Sequence, residues 1–340
     1  MRWFLRRVAW SIFVIWAVVS LAFAVNNLLP GDPARMVAGA QAAPADVARL
    51  REQLGLNRPP LAQYALFWKR LVHTGPRDID PHADPAHGSC AVVLALGGYA
   101  VHLDLGESYQ MQQPVVTLLA TRLPRTFALA LAGLALQLIF GVTTGVVAAS
   151  RRGTTFDRLL VSTSLLGVSA PTFLIALLLQ IVLARELRWL PIDGFGKTFP
   201  EHVQCLVLPA LTLGIYGAAY YTRIVRDEMV GLLTQDWVRT ARAKGASPAR
   251  VLLVHALRNA LVPIVTSAGL DFGALMGGAV VTETVFRWPG IGFLAVNAVL
   301  NRDGPIILGC VIVSAVAVTV SSLLVDVIHA RLDPRMRASI

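Results

Sequence analysis

The sequence is poor in charge. Only 15% of its 340 residues are Asp, Glu, Lys or Arg, against 55% hydrophobic, and its mean hydropathy is +0.62. That poverty excludes an ordinary soluble domain, in which about a quarter of the residues are charged, and places the chain in a membrane. Cysteine is scarce as well. Cys90, Cys205 and Cys310 lie far apart with no short paired spacing, so neither a disulfide framework nor a cysteine-based metal site follows. The 30 Lys+Arg outnumber the 20 Asp+Glu, a net charge of +10. In a soluble protein that excess would suggest nucleic acid, but in a membrane protein it marks cytoplasmic loops and anionic headgroups, so its distribution decides.

What is present is a set of long apolar runs. Six can cross about 30 Å of hydrocarbon at roughly 20 residues each: Val8–Leu29, Thr126–Ala149, Leu159–Ala184, Val203–Thr222, Ala260–Val285 and Pro305–Ile328. Arg2, Arg6 and Arg7 before the first run place the N-terminus in the cytoplasm, and six crossings return the C-terminus there. Arg151, Arg152 and Arg158 then also fall inside, with Arg223, Arg226, Arg239, Arg242, Lys244, Arg250 and Arg258, and finally Arg331, Arg335 and Arg337. Between Pro30 and Arg125, on the outer side, the two signs nearly balance. A cleavable secretory signal is the rival for the first run, because Ala22-Phe23-Ala24 resembles a cleavage site; the length of the run and the charge sorting favour an uncleaved span.

The outer segment carries two amphipathic patterns. Pro44–Leu54, closed by Gly55, aligns Val47, Leu50 and Leu54, and Pro60–Val72 aligns Leu61, Tyr64, Ala65, Trp68 and Leu71. From His73 to Gly98 the composition reads as an irregular insertion. His73, His82, His87, Asp78, Asp80, Asp84 and Cys90 could furnish a metal site by composition, but they show no diagnostic spacing, and a polar loop explains them without a metal. Gly196-Lys197-Thr198 ends like a phosphate-binding loop, yet the position that needs the first glycine is Pro191, which has no N–H to offer. The chain is therefore not expected to hydrolyse ATP itself.

Asp271 is the one acidic residue near the middle of a run, where an ionised carboxylate is costly unless it meets water, protein or a partner. A polar point on a path across the membrane and a structural carboxylate bonded to a neighbouring helix both stay open. Gln137 and Gln180 read as interhelical hydrogen-bonding residues, and the rows Gly141, Gly145 and Gly269, Gly273, Gly277 as faces for close helix approach. In the loop Asp227–Arg258, Asp236 is expected to N-cap a short helix, Trp237–Lys244, which Gly245 closes in the left-handed conformation. Ser247 and Pro248 then supply a fresh cap and first turn. The short helix lacks the bulky apolar face of a headgroup-bound helix, so its small residues and single Trp237 suit a groove on another protein.

Asp236-Trp237-Val238-Arg239-Thr240-Ala241-Arg242-Ala243-Lys244-Gly245, followed by Val254-His255-Ala256-Leu257-Arg258-Asn259-Ala260-Leu261-Val262-Pro263, closely resembles the cytoplasmic loop of permease subunits in dipeptide/oligopeptide ABC importers. Leu29-Pro30-Gly31-Asp32-Pro33, Leu54-Gly55-Leu56, Asp104-Leu105-Gly106-Glu107-Ser108, the stretch from Gly277 to Phe286, and Trp288-Pro289-Gly290 match as well. The resemblance implies an all-α membrane protein of the type I importer permease kind, with six transmembrane helices and an extracytoplasmic segment between the first two. Its divisions would be 1–29 (N-terminus and first span), 30–125 (extracytoplasmic, with an insertion at about 73–101), 126–330 (permease core, including the loop 223–258) and 331–340 (cytoplasmic tail). Residues Asp236, Arg239, Thr240, Ala241, Lys244, Gly245, Ser247 and Pro248 would couple to ATPases, while Asp271, Gly273 and Gly277 are candidates for the translocation path.

The implied partners are two cytoplasmic ATPase subunits, a second permease, an extracytoplasmic binding protein and membrane lipids, without nucleic acid. ATP and Mg would sit on the ATPases and no cofactor on this chain, which would be a transporter subunit rather than an enzyme. Two departures stand out. Arg239 and Thr240 replace the Glu and first Ala of the general importer loop, which narrows the subgroup, and the insertion is unusual, either touching the binding protein or inert. Nickel or glutathione is the alternative cargo. A stand-alone ion-coupled carrier or membrane enzyme is the alternative of another class, but no internal repeat, acid–base relay or converging nucleophile supports it.

Overall fold

The computed structural model describes residues 2–28, 33–39, 41–53, 55–76, 90–96 and 99–332. The chain runs α1 (Arg2–Leu28), α2 (Pro33–Ala38), α3 (Pro44–Gln53), α4 (Pro60–Leu71), β1 (Val72–Pro76), β2 (Cys90–Leu96), β3 (Tyr99–Asp104), α5 (Val115–Ser150), α6 (Thr155–Ser169) and α7 (Thr172–Leu179). A π-helical turn, Gln180–Glu186, continues α7, and α8 (Phe199–Leu233), α9 (Asp236–Ala243) and α10 (Pro248–Arg250) follow. A second π-helical turn, Val251–Ala256, leads into α11 (Leu257–Met276), then α12 (Val280–Val285), α13 (Ile291–Leu300) and α14 (Gly304–Leu332). Among the described residues, five helical stretches are long and apolar enough to cross a membrane, or six if a bent pair counts as one span.

Helical structure dominates because a backbone in hydrocarbon must bond to itself. At 36 and 35 residues, α5 and α8 are longer than the bilayer core needs, even though Pro124 and Pro209 each remove a donor from their interiors. The first apolar run as far as Leu28, and the second, fourth and sixth runs, lie within α1, α5, α8 and α14. The third is not one rod: α6 and α7 meet at 99°. Pro171 has no N–H and forces Ala170 into an extended conformation (ψ 128°), which ends α6. The fifth span also differs from expectation, running Pro248–Met276 rather than Ala260–Val285. It starts earlier because the Ser247 side chain caps the Arg250 N–H, and it stops at Gly277, with Gly278 left-handed at φ 106° and α12 a separate piece.

The chain separates into two units. One takes in Arg125–Pro289 with the flanking stretches through Arg7 and from Ala317; the other takes in Val8–Pro124 and Gly290–Val316. In the first, α5 and α8 cross on glycine. A Cβ on Gly145 would come within 2.7 Å of Val225 Cβ and 2.8 Å of the Thr222 carbonyl, and one on Gly141 would collide with Tyr221. The fit is reciprocal, since Gly214 lies under Leu136 and Gly217 under Gln137. Gly269 and Gly273 of α11 seat Val325 and Ser321 of α14 in the same way, whereas Gly277 leaves the row and caps the helix.

In the second unit two parts of the stretch expected to be irregular, His73–Pro76 and Cys90–Leu96, lie instead in strands that pair with β3 in an antiparallel sheet of order β1-β3-β2, with Val72 opposite Leu103 and Cys90 opposite Asp104. Its strands hide Gly, His and Pro among apolar residues, and the pairing that makes them strands is supplied from outside each segment. Ala100, His102 and Asp104 of β3 point inward, and Arg70 of α4 ion-pairs with Asp104. The buried face of α4 is Tyr64, Phe67, Trp68 and Leu71 rather than the face through Leu61, which is 83% exposed. Asp303 gathers the Asp104–Ser108 loop: Ser108 Oγ donates to it at 2.6 Å and the Gln110 N–H at 3.1 Å. Burial, reinforced by Asp303, pushes the Tyr109 phenol above its usual pKa. Val115, Leu118 and Leu119 pack on Ile291, Leu294 and Ile306 below.

Substituting Gly141 by Ala is expected to cost about 1–3 kcal/mol by overpacking and to lower the thermal midpoint in detergent. Gly231→Ala, in α8 with open space around it, should be neutral or stabilise by up to about 1 kcal/mol through helix propensity. Equal midpoints for the two variants would contradict the glycine crossing.

Candidate functional site

Two places in the first unit combine exposed or accessible polar groups with a defined local geometry. The first is α9 and its flanks. Asp236 is the first helical residue, not the cap expected from sequence: Gln235 holds the cap position and makes no side-chain capping bond. The Gln235 amide instead accepts from Trp237 Nε1 at 2.6 Å, leaving Asp236 in the first turn, where its negative charge suits the helix N-terminus.

Termination follows the sequence expectation closely. Gly245 is left-handed at φ 82°, its N–H donates to the Arg242 carbonyl at 2.9 Å, and the Ala246 N–H reaches the Ala241 carbonyl at 3.1 Å. These are the two paired bonds of a Schellman ending, which satisfies carbonyls that the helix end would otherwise leave open. Val238 is buried and holds α9 to the bundle, while Trp237 packs at the core edge with its ring 6.5 Å from that of His255.

With Val238 turned in, the outward face presents Asp236, Arg239, Thr240, Ala243, Lys244 and Gly245 to solvent, and Ala241 is half-buried. Ser247 and Pro248, also exposed, start the next helix as expected, the Ser247 hydroxyl accepting from the Arg250 N–H at 3.3 Å. Behind α9 a cavity of about 370 Å³ is lined by Ser150, Arg152, Leu233, Arg242, Pro248 and Leu252. The face is cationic, small-featured and fixed at both ends.

A clamp that sequence reasoning missed holds the base of this region. Arg226 of α8 donates from Nε and Nη2 to the two Asp157 oxygens at 2.8 and 2.9 Å, and the Gly153 N–H adds a third bond at 3.0 Å. Asp157 is almost wholly buried, so the bidentate ion pair fixes the α5–α6 turn against α8. The signal was there to read: Thr154 caps the Asp157 N–H three residues on, in the spacing of a capping box, immediately before an apolar run.

The second place is a cavity of about 570 Å³ lined by Gln137, Thr172, Tyr216, Tyr220, Asp271 and Thr282, with Gly217 and Gly278 among the backbone contributors. The Tyr221 hydroxyl donates to Asp271 Oδ2 at 2.6 Å. Asp271 is thus bonded to a neighbouring helix, as the structural reading expected, and it also borders a cavity. Gly273 and Gly277 do not line that cavity. Gln137 donates to the Leu213 carbonyl of α8 at 3.2 Å, an interhelical bond as expected, whereas Gln180 donates at 2.9 Å to the Ile192 carbonyl in a loop and reaches α12 only at 3.4 Å, at the Val285 carbonyl.

Glu283 was quoted only as part of a motif, yet it is fully buried and accepts from Thr126 Oγ1 at 2.9 Å. A carboxylate in a six-residue helix between two breaks carries no periodic signal of burial. At the loop resembling a phosphate-binding end, the Lys197 N–H donates to Glu201 Oε2 at 2.6 Å. That donor completes the first turn of α8. Among the described residues no three His, Cys, Asp or Glu side chains gather as metal ligands. His82, His87, Asp78, Asp80 and Asp84 lie outside the described residues, as do Leu29 to Asp32 of the motif after the first span, and Leu54, Arg335 and Arg337.

Comparison with known proteins places this geometry. The chain is 38% identical over 336 residues to a putative peptide transport system permease protein of Brucella abortus (strain 2308), covering 98% of both. It is 36% identical over 333 residues to the glutathione transport system permease protein of Escherichia coli O6:H1, again covering 98% of both. Among solved structures it superposes on a chain of the inward-facing MetNI methionine ABC transporter with a TM-score of 0.56, covering 66% of this chain and all of that one; at 16% identity the likeness is one of fold. The family model described as binding-protein-dependent transport system inner membrane component matches residues 141–338, and its N-terminal companion matches residues 1–130. The chain belongs to the family of binding-protein-dependent transport system inner membrane components.

Proposed function

We propose that this chain forms half of the membrane passage of an ATP-driven importer of dipeptides and oligopeptides, with α9 as the element that receives the ATPase stroke. As a member of its family it is a multi-pass inner-membrane transporter subunit, not an enzyme, and it works with ATPase and substrate-binding partners. The observation that carries the proposal is α9 itself: eight residues, pinned inward by Val238 and closed by the Schellman bonds at Gly245, presenting Arg239, Thr240 and Lys244 outward. A rigid short helix on a packed base transmits a push, and a mobile loop does not.

On this proposal Asp236, Arg239, Thr240, Ala241, Lys244, Gly245, Ser247 and Pro248 meet a cleft of a cytoplasmic ATPase. Two such ATPases hold ATP and Mg, and no cofactor sits on this chain. A second permease of similar fold completes the passage by alternating access. Both termini lie in the cytoplasm. This is supported by Arg7, which bonds Asp326 through Nε at 2.6 Å and Nη2 at 3.2 Å and so holds the start of α1 beside the end of α14. Residues 30–125 then face outward toward the binding protein. Peptide cargo is supported by the names of the relatives, and glutathione, itself a peptide, is the second reading that one of them favours.

Replacing Gly245 by Val forces a β-branched residue into the left-handed region, at about 1–2 kcal/mol, and turns the end of α9. Uptake into vesicles containing all partners should fall at least tenfold while the subunits still co-purify. Wild-type uptake would remove the coupling role. Topology is read separately in a cysteine-free background: a membrane-impermeant maleimide should label Lys197→Cys in intact spheroplasts and Arg152→Cys only after lysis. The reverse pattern would invert the orientation.

A further inference from the structure

The cavity beside Asp271 has an unusual electrical make-up. Its wall includes a carboxylate and the side-chain amide of Gln137, but no Lys, Arg or His. Asp271 Oδ2 is held by the buried Tyr221 hydroxyl, which fixes the group in place, and Oδ1 has no donor among the described residues. Gln137 is 4% exposed, its Nε2 is occupied by the Leu213 carbonyl, and its Oε1 is buried with no hydrogen-bond partner. Gln137 Oε1 is itself closed off from the cavity, so the wall offers one unfilled acceptor, the anionic Asp271, together with the phenol rings of Tyr216 and Tyr220, which are 40% and 46% exposed.

Such a wall selects a compact cation with several donors. An ammonium group has three N–H donors and no acceptor, and it is attracted both to a carboxylate and to aromatic faces. A carboxylate ligand would be repelled by Asp271. The volume, about 570 Å³, lies within the range of small-ligand sites, and the lining glycines, Gly217 and Gly278, leave backbone rather than side chains at the wall.

We propose that this cavity receives the protonated amino terminus of the peptide during passage, Asp271 supplying the charge and the Tyr216 and Tyr220 rings the aromatic faces. The inference rests on the peptide-importer reading and adds to it a chemical requirement: a free α-amino group, checked within the membrane subunit and not only by the binding protein. Tyr221 is a positioning residue, acting through Asp271.

The test uses the complete complex, with its sister permease, ATPases and binding protein, in proteoliposomes. Uptake of dialanine and of N-acetyl-dialanine is measured per occupied binding protein, so that capture outside the membrane does not enter the ratio. For the loss of one charge-assisted contact the expected wild-type preference for dialanine is about tenfold or more. Asp271→Asn should bring the two rates to within about twofold by slowing dialanine, and Asp271→Glu should keep most of the preference. Equal wild-type rates overturn the proposal without any substitution, so a failure of Asp271→Asn to assemble does not protect it. A tenfold preference that survives in Asp271→Asn overturns it as well. So does an equal fall for both peptides, which would mean that Asp271 pairs with a basic group of the sister permease. If neither peptide enters wild-type vesicles whose ATPases respond to the loaded binding protein, the peptide reading itself fails, and the proposal with it.

Discussion

Close approach of α5 and α8 underlies the first unit, and its cause is the solvent. Lipid tails are as apolar as the helices they surround, so two helices gain little from hiding apolar surface from lipid and must hold together by packing and hydrogen bonds. Gly141 and Gly145 let the α8 backbone near Ala218 and Thr222 come against α5, and Gly214 and Gly217 return the favour to Leu136 and Gln137. Thr144 and Thr222 then meet across the gap, a contact that a single added methyl at either glycine would prevent. The same crossing places Tyr221 where its hydroxyl reaches Asp271 and leaves the Gln137 amide beside the polar cavity.

Polar groups inside the unit fall into two kinds. Asp157 and Glu283 are buried and bonded, the first in a bidentate pair with Arg226 and the second to Thr126. Such groups fix geometry, because removing one partner would strand the other in a medium that solvates it poorly. Asp271 differs from both: one of its oxygens takes the Tyr221 hydroxyl, and the residue borders a cavity. The contrast separates a geometry-fixing carboxylate from a cavity-facing one more clearly than position in an apolar run can.

At α9 the sequence was legible because its signals are local. Gly245 after Lys244, and Ser247-Pro248 next, act through bonds spanning at most five residues, and the observed φ of 82° and the paired bonds to Arg242 and Ala241 follow from those residue types. The assignment of the cap to Asp236 failed for a related reason: Gln235 can be tied up by Trp237, and either residue could have opened the helix. The bend at Pro171 was less legible, because a proline in an apolar run does not by itself end a helix: Pro209 sits inside the continuous α8, whereas Pro171 breaks the third span by 99°.

Composition, apolar run length and arginine distribution by themselves determined that the chain is a helical membrane protein with a short, sharply bounded helix in its long basic loop. Those properties belong to segments, each settled by its own residues and by a solvent that allows few alternatives. Tertiary structure alone decided that Val72–Pro76, Cys90–Leu96 and Tyr99–Asp104 pair into a sheet, that Arg226 clamps Asp157, and that Asp271 borders a cavity whose lining holds no cationic side chain. Each of these depends on partners far apart in the chain, and no pattern within a single segment records which distant residue will arrive to satisfy it.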